Sequence, residues 1–139
     1  MNEGFNAQTP LSDEWCTPAW LFQALDSEFA FTLDGAATDE NSLVRRYSSL
    51  ANPIPWDGER VFCNPPYSDI EAFVRLAPKA AIAVLLLPVR TDSDWFRLLI
   101  EGEVELRWFR KRVRFLQNGQ PMDSPRFASV VAIVKGRMR

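Results

Sequence analysis

The chain has 139 residues, enough for one ordinary domain with its own buried core and too few for two. Apolar residues make up 47% and charged residues 24%, a globular composition and not a disordered or coiled-coil one. The net charge is −2 with no histidine and two cysteines, which excludes a histidine general base, a Ser-His-Asp or Cys-His arrangement and a Cys/His zinc site. Charge is unevenly spread: residues 1–103 hold 7 basic and 16 acidic side chains, and residues 104–139 hold 9 basic and 2 acidic. Such asymmetry fits either a face for a polyanion or a solvated charged surface.

Residues 1–14 are polar, with Gly4, Pro10 and Ser12, and read as a loosely held arm. They lack the basic start and apolar stretch of a signal peptide, so the chain is expected in a cytoplasm. There Cys16 and Cys63 read as small buried apolar residues, although the sequence leaves a disulfide between them open. Thr17-Pro18 predicts a helix start, Thr as N-cap and Pro as first helical residue. Trp20, Leu21, Leu25 and Phe29 give that helix, over 18–27, an apolar face. Phe29 to Leu33 predicts a strand ending at Asp34-Gly35. Residues 36–50 have room for a short helix capped by Thr38 or Asp39, and 51–59 read as loop.

Arg60 to Cys63 predicts a strand that must stop at Asn64-Pro65-Pro66-Tyr67, because two prolines cannot continue a ladder. Ser68 is placed to cap a helix over 69–77. Ala80 to Leu87 is a continuous apolar run, the pattern of a parallel strand covered on both faces. Extended to Val89, that run is still about half of a membrane span, so no membrane partner is expected. Thr91 or Asp92 opens a helix to Glu101, Glu103 to Leu116 reads as two strands of a basic hairpin, Asn118-Gly119 marks a turn, and Phe127 to Val134 closes as a strand. Strands alternating with helices, then a run of strands, predict one α/β domain over 1–139: a mostly parallel central sheet with an antiparallel C-terminal end.

The strongest chemical signal is Val61-Phe62-Cys63-Asn64-Pro65-Pro66-Tyr67. It sets an amide, a rigid diproline and an aromatic ring at the carboxyl end of a buried strand, where open α/β sheets place their ligands. The Asn64 amide oxygen and the Pro65 carbonyl can each accept one N–H of an aryl amine, and Tyr67 can stack on its ring. Two acceptors localise the amine's lone pair and aim it at an electrophile, with no histidine needed. The structural alternative is a tight strand-to-helix turn with Tyr67 as a packed lid.

These residues resemble the phage-type DNA N6-adenine methyltransferases of the Dam-like superfamily. The resemblance rests on Asp13-Glu14-Trp15-Cys16-Thr17-Pro18, on Phe31-Thr32-Leu33-Asp34-Gly35-Ala36-Ala37 with Asn41, on Trp56, and on Phe62 to Tyr67. Leu87-Pro88 with Thr91, Asp92 and Trp95-Phe96, and Arg114-Phe115 before Gly119, extend it. The resemblance implies a compact Rossmann-like fold, a phage or prophage origin, S-adenosylmethionine as donor, and double-stranded DNA as partner. It implies no metal. It assigns catalysis to Asn64, Pro65, Pro66 and Tyr67, and donor contacts to Trp15, Thr17, Pro18, Asp34, Ala36 and Asn64. For Thr17 and Pro18 the plain alternative is helix capping; for Asp34 it is an Asp-Gly turn. The resemblance also turns the basic stretch toward DNA, through Arg107, Arg110, Lys111, Arg112 and Arg114, with Trp108, Phe109 and Phe115 interleaved as core.

Two departures stand out. The glycine-rich loop after the first strand is missing, with Asp34-Gly35-Ala36-Ala37 in its place. About 26 residues separate Gly35 from Val61, too few for the two βα units that usually grip the donor's adenosine. Asp39 and Glu40 read as solvated charges, leaving the ribose and adenine contacts unassigned. Methylation of RNA or of a protein amide, and an inactive nucleic-acid-binding remnant, remain as alternatives.

Overall fold

The computed structural model describes residues 16–117, 119–121 and 127–136. In chain order its elements are α1 (Ala19–Phe29), β1 (Leu33–Asp34), β2 (Arg60–Cys63), α2 (Ile70–Leu76), β3 (Ile82–Pro88), α3 (Asp94–Glu101), β4 (Glu105–Trp108), β5 (Leu116–Gln117), β6 (Gln120–Pro121) and β7 (Ser129–Lys135). Five strands form the main sheet in the order β1-β2-β3-β7-β4, and β5-β6 form a small separate ladder. β1, β2 and β3 run parallel; β7 lies antiparallel between β3 and β4. The sheet is therefore mixed, parallel on one side and antiparallel on the other.

β3 is buried at every position and β7 at all but Lys135, as befits strands covered on both faces. Ala83, Leu85 and Leu87 face one core with Val130 and Ala132, beneath Ile70 and Val74 of α2 and Phe96 and Leu99 of α3. Val84 and Leu86 face the other core with Val131 and Ile133, beneath Leu21, Leu25 and Phe29 of α1. The alternation of a period-two strand thus feeds two apolar layers, one per face.

Several boundaries depart from the sequence pattern for local reasons. Pro18 is the N-cap of α1, in extended conformation, and no side chain caps the helix. α1 continues through Phe29, where the pattern suggests strand. Ala30 then ends it in the left-handed region at φ 51°, and the Asp26 carboxylate accepts the Phe31 N–H at 2.9 Å. No helix forms within 36–50. Asp34 holds that segment in turns instead: its carboxylate accepts the N–H groups of Ala36 at 3.2 Å and Leu43 at 3.1 Å. Its main chain takes the Arg46 carbonyl and the Ser48 N–H, laying Tyr47 along the free edge of β1.

Ser68 is not the N-cap of α2, which is Asp69; it lies inside a 3-10 turn, Tyr67–Asp69, that leads into the helix. Ser93, not Thr91 or Asp92, caps α3, its hydroxyl accepting the Phe96 N–H at 3.2 Å. The basic stretch is not a hairpin, because β4 pairs with β7 and residues 109–115 belong to no strand. Those residues lie over α1, with Val113 and Phe115 buried in its core and Arg110, Lys111, Arg112 and Arg114 exposed. At their end Leu116 and Cys16 exchange two backbone hydrogen bonds of 2.9 Å. Gly119, at φ 78°, joins β5 to β6; Asn118 lies outside the described residues, as do Trp15 and the arm before it. Both cysteines are free thiols.

Candidate active site

β1 and β2 end side by side, Leu33 opposite Val61 and Asp34 opposite Phe62. Asp34 and Asn64 therefore leave the sheet at the same rim, at the carboxyl ends of parallel strands, where diverging connections open a crevice. A cleft of about 1210 Å³ occupies that rim. The 35–57 segment walls one side, and Phe73 and Leu76 of α2 the other.

Asp34 borders the cleft yet is only 3% exposed. Burial pushes its carboxyl up to about 6, against the pull of the Leu43 and Ala36 N–H groups, which favour the charged form. A carboxylate so placed is suited to receive a cation. Beside it the Gly35 N–H donates to the Phe62 carbonyl at 2.7 Å. A Cβ on Gly35 would stand 2.5 Å from the buried Trp56 ring, so close approach and not backbone conformation requires glycine here.

Asn64 follows β2 directly. Its amide N–H donates to the Thr17 hydroxyl at 3.1 Å, and Thr17 is itself buried. The hydroxyl expected to cap α1 thus orients the amide instead. The contact consumes a donor and leaves the amide's carbonyl oxygen as its accepting end. Pro65 is fully buried. Pro66 lines the cleft, and its carbonyl accepts the Asp69 N–H at 3.0 Å, starting the 3-10 turn. Tyr67 stands beside the cleft without lining it; its ring meets Phe127 edge-on with centroids 5.2 Å apart, and burial pushes its phenol well above the ordinary value. Burial, aided by nearby Asp34, likewise raises the Cys63 thiol, which makes it a poor nucleophile.

The structure brings Thr17, Asp34, Ala36, Asn64 and Pro66 around one cleft. Pro18 is buried next to them, and Trp15 lies outside the described residues. Of the basic residues, Arg107 is held apart. Its guanidinium binds Glu28 at 2.6 and 2.7 Å and Glu105 at 2.7 Å, and lies 5.5 Å from the Phe29 ring centre. Those carboxylates raise the Arg107 pKa, and Arg107 lowers that of Glu28. Arg46, Arg75, Arg90 and Arg97 are also ion-paired. Arg110, Lys111 and Arg114 are exposed and have no ion pair or hydrogen bond among the described residues. The Cys16–Leu116 bridge secures the end of their segment one residue from Thr17.

The sequence pattern misses three contributors. Arg46 and Ser48 close the β1 edge through backbone bonds to Asp34, which carry no side-chain signature. Phe73 and Leu76 carry no signal beyond that of an ordinary amphipathic helix, yet they form a cleft wall. Phe127 meets Tyr67 from a distant part of the chain, a contact no local pattern encodes.

Comparison with known proteins gives the chain a family. Residues 4–137 match the family described as DNA N-6-adenine-methyltransferase (Dam). A DNA N-6-adenine-methyltransferase of Haemophilus phage HP1 is 27% identical over 124 residues, covering 81% of this chain and 72% of that protein. One of Escherichia phage T1 is 30% identical over 115 residues, covering 76% of this chain and 48% of that protein. The matched span takes in the whole cleft, from Thr17 through Asp34 to Asn64-Pro65-Pro66-Tyr67, and the chain accordingly belongs to the DNA N-6-adenine-methyltransferase (Dam) family.

Proposed function

We propose that the chain transfers a methyl group from S-adenosylmethionine to the exocyclic amine of adenine in double-stranded DNA, on a Rossmann-like methyltransferase fold. The observation that carries this is the meeting of Asn64, oriented by Thr17, with the buried Asp34 at one cleft over parallel strand ends. Parallel β1–β3 between helical layers, with β7 reversed beyond them, support the fold.

The residues present fit the donor. Asp34 is the only buried carboxylate among the described residues, and its carboxyl, raised by burial, gains most from a nearby cation. Asp34, Thr17 and Ala36 would hold the donor's methionine end. When bound, the donor supplies an electrophilic methyl group beside Asn64. The Asn64 amide oxygen and the Pro65 carbonyl each accept an N–H of the adenine amine, fixing its orientation before reaction. The amine nitrogen would take the methyl group while the sulfur's bonding pair stays behind in a neutral thioether, and the two acceptors would stabilise the positive charge on that nitrogen until it loses one proton to solvent. Tyr67 stacks on the base, and Arg110, Lys111 and Arg114 meet phosphates.

Asn64→Ala is expected to lower transfer of tritiated methyl to DNA by roughly 100-fold or more while donor affinity stays within a few-fold of wild type. Activity close to wild type overturns the catalytic assignment. Label appearing in RNA or protein and not in DNA overturns the substrate. A wild-type chain that binds no donor in calorimetry overturns the reading as a whole.

A further inference from the structure

The first turn of α1 carries Trp20, which packs in neither core of the described residues. Leu21, Leu25 and Phe29 turn toward the sheet, but Trp20, which the sequence pattern groups with them, points outward and is 60% exposed. It belongs to neither core, and among the described residues it makes no ring contact or hydrogen bond. A single exposed apolar side chain is ordinary; the setting of this one is not. Trp20 lies three residues beyond Thr17, whose hydroxyl holds Asn64. Val113 and Phe115 pack into the same core as its neighbour Leu21, and Leu116 bonds Cys16. The basic segment runs from Arg107, held at the last turn of α1, to Leu116 beside Cys16, so Arg114 comes nearest the start of α1, with Lys111 and Arg110 further along; none of these three has an ion pair among the described residues. An exposed indole one turn beyond the cleft-lining Thr17 and an exposed Arg114 two residues before the Leu116 that pairs with cleft-lining Cys16 thus flank the same stretch of chain.

We infer that Trp20 is a DNA-docking residue, stacking on a base next to the target adenine while Arg110, Lys111 and Arg114 take phosphates. The inference rests on the DNA-methylation reading above. For an adenine amine to reach Asn64 inside a cleft, the base must leave its stack. A neighbouring base then shows an uncovered face, and an indole covers such a face whatever the base. The contribution is apolar, so it differs from that of the arginines in its response to salt.

The experiment compares wild type, Trp20→Ala, Trp20→Phe and, as a distant exposed apolar control, Ile100→Ala. Plasmid DNA, which presents every short target, serves for both filter binding and tritium transfer across a salt series. Trp20→Ala is expected to lower kcat/KM for DNA by roughly tenfold or more, with the salt slope and the donor affinity unchanged. Trp20→Phe should recover most of the loss, and Ile100→Ala should match wild type. Trp20→Ala within twofold of an active wild type overturns the inference alone. So does an equal loss of donor affinity or of thermal stability, which marks a structural residue. So does a change in sedimentation, which marks a face covered by another copy of the chain. A wild type that binds donor yet labels no DNA overturns the methylation reading, and this inference with it.

Discussion

Asp34 carries two duties with one side chain. Its backbone and carboxylate fold the 35–48 segment around the rim of β1, and the same carboxylate borders the cleft. Burial raises its pKa from 3.8 to about 6, so in the free protein the neutral form is favoured relative to the unfolded chain. The stability this group contributes is fully present below about pH 4 and is lost as pH rises through 6, on the order of 3 kcal/mol. Glu28 and Glu59, held below their ordinary values by Arg107 and Arg46, act in the opposite sense and lose their contribution as pH falls. Donor binding should reverse the penalty on ionised Asp34. Calorimetry from about pH 5 to about pH 7.5 is expected to show donor affinity rising about tenfold per unit until roughly pH 6 and then levelling, while Asp34→Asn stays weak and flat. A flat wild-type profile would leave Asp34 as a turn residue only. The sequence made both duties legible and offered no way to choose, because an Asp-Gly turn and a donor-binding aspartate have the same local signature. Thr17 was legible in part: Thr17-Pro18 does mark where α1 begins, but Pro18 is the N-cap and the Thr17 hydroxyl is spent on Asn64, 47 residues distant.

At the scale of elements, the basic segment is the most instructive. The run Arg112-Val113-Arg114-Phe115 alternates like a strand and so suggests a hairpin with β4. Its apolar positions are satisfied by α1 instead, and its backbone gains no ladder until Leu116 meets Cys16. Periodicity reports which side is buried, not against what. The strands β2, β3 and β7 were legible because their apolar runs leave no polar face, whereas the 36–50 segment takes its shape from one buried carboxylate that no window of sequence weighs. The placement has a measurable consequence. With Arg107 committed to Glu28 and Glu105, the phosphate contacts of this segment should fall to Arg110, Lys111 and Arg114, which have no ion pair among the described residues. Alanine at Arg110, Lys111 and Arg114 together is expected to lower the salt slope of duplex binding by roughly one to three units, measured by fluorescence anisotropy. Arg107→Ala should leave that slope at the wild-type value. The reverse pattern would move the DNA face to the β4 edge.

Over the whole molecule, the order of strands in space departs from their order in the chain. β3, the most buried strand, is formed by residues 82–88 but finds its long antiparallel partner only in β7, residues 129–135. Among the described residues β4 has no sheet neighbour other than β7. A chain cut before Ser129 is therefore expected to show no cooperative urea transition, because one edge of β3 and the apolar residues of both cores beside it would face water. A sharp transition in the truncated chain would mean that β1–β3 fold alone. The same order also sets a clock. While the chain is being made, at about 5–20 residues per second, the stretch from β3 to β7 takes several seconds to follow. For that interval the nascent protein holds its most apolar strand with one side open.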